Sequence, residues 1–133
     1  GYVHNVDFSR DGRFMCGHDR TGKMVIWNAK TWTEVKRIET GAGPRAFSAF
    51  SPDGRYVASS GRDGKLNLYD VATGGLALTL ATDLPTSRLK FTADGTSLVV
   101  GGTDGFVRLY ATSKAGRPTP VSSKQEPDDD PEK

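Results

Sequence analysis

The sequence is poor in the features that mark several protein classes. A single cysteine, Cys16, stands in 133 residues, so no internal disulfide forms and a stapled secreted mini-domain is excluded. Lys and Arg number 18 against 16 Asp and Glu, too even a balance for charge-driven nucleic-acid binding, which shows a strong basic excess. No run of even ten apolar residues occurs, which excludes a helical membrane span. Hydrophobic residues are sparse, at 35%, while glycine reaches 16. That combination suits an all-β fold of short strands and many turns, at a one-domain length. The chain starts at Gly1 rather than Met, and Tyr2–Phe8 already reads as strand. The N-terminus is therefore expected to be a cut point, and the lack of a signal peptide says nothing of a parent protein.

Charge is unevenly spread. Residues 122–133 hold two basic and five acidic side chains, and residues 1–121 hold 16 basic and 11 acidic. The segment from Gly116 also carries Pro118, Pro120, Pro127 and Pro131, with Val121 as its one aliphatic residue. It offers too little apolar surface to offset its ordering entropy, so residues 114–133 are expected to be a disordered Pro-rich acidic tail. Residues 1–113 are the expected folded part.

A repeat organises that part. Phe8-Ser9-Arg10-Asp11-Gly12 recurs as Phe50-Ser51-Pro52-Asp53-Gly54 and as Phe91-Thr92-Ala93-Asp94-Gly95, at offsets of 42 and 41 residues. Sixteen residues after each aspartate stands an aromatic, Trp27, Tyr69 or Tyr110, and five residues before each aromatic a glycine, Gly22, Gly64 or Gly105. Val6 and Phe8 alternate with Asn5 and Asp7, the period of a strand. Asp63-Gly64 and Asp104-Gly105 are hairpin signals. Each unit thus reads as four short strands, over about 1–40, 41–82 and 83–113. The third has no evident fourth strand, because Gly116-Arg117-Pro118 breaks the chain. Four-stranded units at this spacing are propeller blades.

The stretch from Ser51-Pro52-Asp53-Gly54 through Leu66-Asn67-Leu68-Tyr69-Asp70 resembles a WD repeat, the unit of the G-protein-β-type propellers. Trp27-Asn28 and Tyr69-Asp70 stand where that family has its Trp-Asp pair. The resemblance covers residues 2–111. It implies an all-β partial β-propeller of three antiparallel blades, the C-terminal part of a larger closed ring. The last blade would lack its outer strand and await one from upstream. The remaining blades would come from the same parent chain or from other copies. The family's Gly-His dipeptide is missing, and Thr21 stands where Asp63 and Asp104 stand in the other units. The blades are therefore expected to rely on apolar packing with little of the family's buried hydrogen-bond chain. Family geometry gathers the turns 19–22, 61–64 and 102–105 and the approaches 40–46 and 82–88 on one rim. There His18, Arg20, Arg45, Phe47, Arg62 and Arg88 form a candidate partner-binding set, suited to an acidic or phosphorylated peptide, since Arg and aromatics anchor interfaces and Arg grips oxyanions in pairs of bonds. Cytoplasm or nucleus is the expected setting.

Other constellations carry no chemistry. Cys16, His18 and His4 match no zinc spacing, and the repeat aligns Cys16 with Ala58 and Val99, making it a buried apolar residue. Gly41-Ala42-Gly43-Pro44-Arg45-Ala46 has dinucleotide-loop spacing but leads into strand, where that motif needs a helix. Ser87 and Lys90, three apart on a strand, face opposite sides. The only other feature of note is Ser123, ahead of Asp128-Asp129-Asp130, an acid-flanked candidate for phosphorylation. No catalytic, cofactor or metal site is expected. The reading is a non-catalytic protein-interaction scaffold. Its alternatives are a regulatory or sensor domain of a larger multidomain enzyme and an RNA-processing assembly factor.

Overall fold

Each Ser/Thr-x-Asp-Gly segment closes the first hairpin of its unit in the same way. The Ser9, Ser51 and Thr92 hydroxyls donate to Asp11, Asp53 and Asp94 at 2.8, 2.6 and 2.8 Å. The amides of Gly12, Gly54 and Gly95 return to the carbonyls of Ser9, Ser51 and Thr92. These glycines have φ of 74, 72 and 73°, the left-handed region that costs a residue with a Cβ. The repeat seen in the sequence is therefore a repeated turn geometry, which fixes strand register.

The computed structural model describes residues 5–61, 63–81, 85–95, 97–112 and 118–125. It is all-β, with three four-stranded antiparallel sheets. The first blade contains β1 (Val6–Phe8), β2 (Phe14–His18), β3 (Lys23–Asn28) and β4 (Glu34–Glu39). The second contains β5 (Phe47–Phe50), β6 (Tyr56–Ser60), β7 (Lys65–Asp70) and β8 (Leu76–Ala81). The third contains β9 (Thr86–Phe91), β10 (Ser97–Gly102), β11 (Phe106–Thr112) and β12 (Pro118–Gln125). Among the described residues no helix is long and apolar enough to cross a membrane.

Blades stack face to face. Cys16, Met24, Ile26 and Ile38 of the first pack on Phe50, Val57, Tyr69 and Val71 of the second. Ala58, Leu66 and Leu68 of the second meet Leu89, Leu98, Val100 and Tyr110 of the third. The repeat aromatics Tyr69 and Tyr110 thus each pack on the preceding blade. Trp27 and Phe8 hold the corresponding places in the first blade, and Phe8 stays 54% exposed. The first strands β1, β5 and β9 approach one another and form the inner edge of the stack.

One expectation is corrected. The last blade does not lack its outer strand, for β12 pairs antiparallel with β11 from Phe106 to Thr112. Residues 118–125, expected within a disordered tail, form that strand; 113–117 and 126–133 lie outside the described residues. The register shift between Leu109 and Tyr110 repeats those between Ile26 and Trp27 and between Leu68 and Tyr69, so β12 takes the place of β4 and β8. An outer strand needs amide donors on one side only, which is where sheets tolerate proline such as Pro118 and Pro120. The junctions are chiefly apolar, and the polar bracing they hold is built from residues other than those of the family's hydrogen-bond chain. His18 Nε2 lies 2.9 Å from Ser59 Oγ across the first junction, and Cys16 Sγ lies 3.3 Å from Ser48 Oγ. Thr79 donates to Asn67 Oδ1 at 2.7 Å, and the Asn67 amide reaches the Thr40 carbonyl. These partners satisfy polar groups that would otherwise be costly to bury.

Candidate partner-binding site

Turns and linkers assigned to the expected rim pack against one another in pairs. The turn at Gly22 lies against Gly43, and Gly61 lies against Ala42. Thr86 donates to the Gly61 carbonyl and Thr103 to that of Pro85. Carboxylates hold two of the turns. Asp19 accepts from the Thr21 hydroxyl at 2.6 Å and the Thr21 amide at 2.8 Å, and pairs with Arg37 at 3.1 Å. Asp104 pairs with Arg108 at 2.8 Å. These bonds favour the ionised carboxylates, so both titrate below the usual aspartate range, Asp19 chiefly through the Thr21 hydroxyl and Asp104 chiefly through Arg108. Asp19 supplies the carboxylate in the blade where Thr21 replaces the turn aspartate, a substitution within the turn that repeat alignment alone does not reveal.

The six rim candidates separate. His18 is 0% exposed, sealed between the first two blades, so it is a bracing residue and not a rim contact. The repeat places it level with Ser60 and Gly101, inside strands rather than in the turns. Arg20 and Arg45 are exposed in turns. Arg62 lies outside the described residues. Phe47 and Arg88 are brought together, with the Arg88 guanidinium 5.5 Å from the centre of the Phe47 ring. Opposite Arg88 in the ladder stands Gly101, which adds no side chain beside it.

Beside this pair a cavity of about 360 Å³ opens between the three inner strands, within the range of small ligand pockets. It is lined by Asn5, Val6 and Asp7, by Phe47, Ser48 and Ala49, and by Arg88, Leu89 and Lys90. Asn5 and Asp7 also accept from the Ser48 and Phe50 amides at 3.2 and 2.9 Å, so strand β1 is held to β5 by side chains. Arg88 and Lys90, two apart on β9, are exposed and make no ion pair among the described residues. Sequence reasoning missed Lys90, Asn5 and Asp7. Strand alternation from Arg88 was the available signal for Lys90. The arrangement presents two cations and an aromatic face against one carboxylate. It suits an oxyanion-bearing ligand with an apolar flank.

Residues 14–104, well over half of the chain, match the family described as the cytochrome D1 heme domain. The chain belongs to that family. The WD-type character of its repeats is also shown. The small ribosomal subunit protein RACK1z of Oryza sativa subsp. japonica, a WD-repeat protein, is 25% identical over 121 residues, which cover 85% of this chain and 36% of the relative. The chain therefore spans about a third of that relative's length. The β-propeller domain of Myceliophteria thermophila Cps50 (Swd1) superposes with a TM-score of 0.73 at 19% identity, over 84% of this chain and 34% of that one. The Kuenenia stuttgartiensis hydrazine synthase superposes with a TM-score of 0.79 at 17% identity, over 91% of this chain and 35% of that one. These two likenesses show the fold, a partial β-propeller.

The family's name implies a haem, and the described residues do not fit one. Haem iron takes His, Cys, Met or Tyr as protein ligands. None of these lines the axial cavity between the three inner strands, the cavity bordered by Phe14, Lys36 and Arg55, or the one bordered by Phe8, Arg10 and Phe91. His18 and Cys16 are sealed in the blade junction, engaged with Ser59 and Ser48. Burial pushes the Cys16 thiol up to about 12, so it stays protonated and is no thiolate ligand. Among the described residues no group of three His, Cys, Asp or Glu side chains could hold a metal.

Proposed function

We propose that the chain is a non-catalytic protein-interaction module whose inner-strand end receives an acidic or phosphorylated peptide. The observation that carries this is the Arg88–Phe47 pair at the mouth of the axial cavity, with Lys90 alongside and no carboxylate spent on either cation. The ring fixes the guanidinium before the ligand arrives, which lowers the ordering cost of binding. Arg20 and Arg45 extend the positive rim. The rice relative, by name a ribosomal subunit protein, supports a role in assembly with other macromolecules.

The test is fluorescence anisotropy with a labelled peptide bearing one phosphoserine among aspartates and glutamates. Hydrogen bonds to charged groups contribute about 1.5–3 kcal/mol, and tenfold in affinity corresponds to about 1.4 kcal/mol. Arg88→Ala is expected to weaken binding tenfold or more. Phe47→Leu, which keeps the apolar bulk and removes the ring's cation contact, is expected to have a smaller effect. Unchanged affinity in Arg88→Ala would overturn the proposal.

A further inference from the structure

A cavity of about 590 Å³ opens between the first and second blades, beside the Ser51-Pro52-Asp53-Gly54 turn. It shares no lining residue with the axial cavity, and its size is that of a small-molecule site. Arg13, Phe14, Val35 and Lys36 form its first-blade wall. The second-blade wall runs from Asp53 to Arg55 and from Asp70 to Ala72.

Comparison of the two junctions explains why the first is open here. At the second junction the turn glycine is covered, since a Cβ on Gly95 would lie 3.4 Å from the Pro52 ring. Leu78 packs into the apolar cluster between the second and third blades. At the first junction Arg10 takes the place of Pro52, and Lys36 that of Leu78. The Arg10 guanidinium turns away and donates to the Ala93 carbonyl of the third blade. Gly54, the counterpart of Gly95, has no atom within 4 Å of the place a Cβ would occupy. Two departures from the repeat thus uncover one place, and a local rule broken without a gain for the fold points to function.

The charges in the cavity indicate its ligand. Lys36 and Asp70 line it from opposite walls, and both are half-buried. They form no ion pair among the described residues. Asp70 spends Oδ1 on the Ala72 and Thr73 amides, at 2.9 and 3.1 Å, and its Oδ2 accepts no hydrogen bond among the described residues. The other carboxylate, Asp53, holds the Ser51 hydroxyl and the Arg55 amide at 2.6 and 3.0 Å. Arg13 is paired with Asp11 at 2.7 Å. Phe14, Val35 and Val71 supply apolar surface. Lys36 and Asp70 are thus opposite charges held apart in one partly buried cavity, and neither has the partner that offsets its desolvation. A single molecule that carries both charges supplies both partners. We propose that this cavity binds a small apolar zwitterion of the dipeptide class. Its carboxylate meets Lys36, its ammonium meets Asp70 Oδ2, and its aliphatic side chains lie against Phe14 and Val71.

The test is amide chemical-shift mapping on the full chain with leucyl-leucine, which carries both charges and two aliphatic side chains. Saturable shifts are expected at Gly54, Arg55 and Val71. N-acetyl-leucyl-leucine lacks the ammonium and leucyl-leucinamide lacks the carboxylate. Each is expected to bind about tenfold more weakly, the loss of one hydrogen bond between charged groups. Two variants have precedents in the repeat itself. Asp70→Asn copies Asn28, which accepts from the counterpart amides in the first blade, so the turn is retained. This variant is expected to bind leucyl-leucine and its acetylated form alike. Arg10→Pro copies Pro52, and is expected to cover Gly54 and weaken leucyl-leucine binding severalfold at an unchanged melting temperature. Absence of saturable shifts, shifts confined to other segments, or undiminished binding in Arg10→Pro would overturn the proposal. Equal or tighter binding of the acetylated dipeptide to the unsubstituted chain would overturn it in favour of an anion site, and of the amidated one in favour of a cation site. The derivative series needs no substitution, so it decides the proposal independently of how any variant folds.

Discussion

At the scale of single residues, the repeated turns are held by carboxylates whose ionised form the native state prefers. Asp11 shows this most strongly. The Arg13 amide, the Ser9 hydroxyl and the Arg13 guanidinium converge on it, and its pKa falls from 3.8 to about 2. A carboxylate depressed in the folded state adds stability that is complete above its unfolded pKa and disappears as pH falls through the folded one. For Asp11 that window runs from about pH 4 down to about pH 2. A carboxyl-carbon NMR titration is expected to give a midpoint near 2 in the native protein and a higher one in Ser9→Ala. A native midpoint near 3.8 would show that the turn is not closed by these bonds. The aspartates were visible in the sequence because the turn geometry demands them at a fixed offset. The fate of His18 was not visible. It ends a strand beside a turn, and only the stacking of two blades decides that its ring points at Ser59 rather than at solvent.

At the scale of elements, glycines differ sharply in what they do. Gly54, at φ 72°, has no atom within 4 Å of the place a Cβ would occupy. Gly54→Ala therefore meets only the left-handed penalty of about 1–2 kcal/mol. Gly22, at φ 88°, would set its Cβ 2.6 Å from the Gly43 carbonyl oxygen, which is backbone and cannot swing aside. Gly22→Ala is expected to lose at least twice as much stability as Gly54→Ala in urea unfolding. Equal losses would mean that the turn and the linker between blades do not touch. Strand number and order were largely legible, since alternation and the Asp-Gly turns mark eleven of the twelve strands among the described residues. The twelfth, β12, was hidden by its composition. Pro118, Pro120 and a polar run argue for disorder locally, and what overrides them is the free edge of β11, a non-local partner that composition does not report.

At the scale of the whole molecule, three stacked blades bring three inner strands to one cavity. The repeat makes the blades readable in the sequence itself, yet it is silent on the site, because Arg88, Lys90 and Asp7 are the positions where the copies differ. Repeat symmetry also explains the exposed face of the first blade. Phe50 and Phe91 pack at blade junctions, and Phe8 occupies the same place with no blade against it among the described residues. We propose that a further blade, from a parent chain or another copy, covers that face in a closed ring. The central proposal is that the inner-strand end binds an acidic peptide through Arg88 and Phe47. Amide chemical-shift mapping on the full chain, titrated with the phosphoserine peptide, tests it most directly. The account predicts saturable shifts clustered at Asn5–Asp7, Phe47–Ala49 and Arg88–Lys90. Shifts that are absent, or that spread without favouring these three segments, would contradict it.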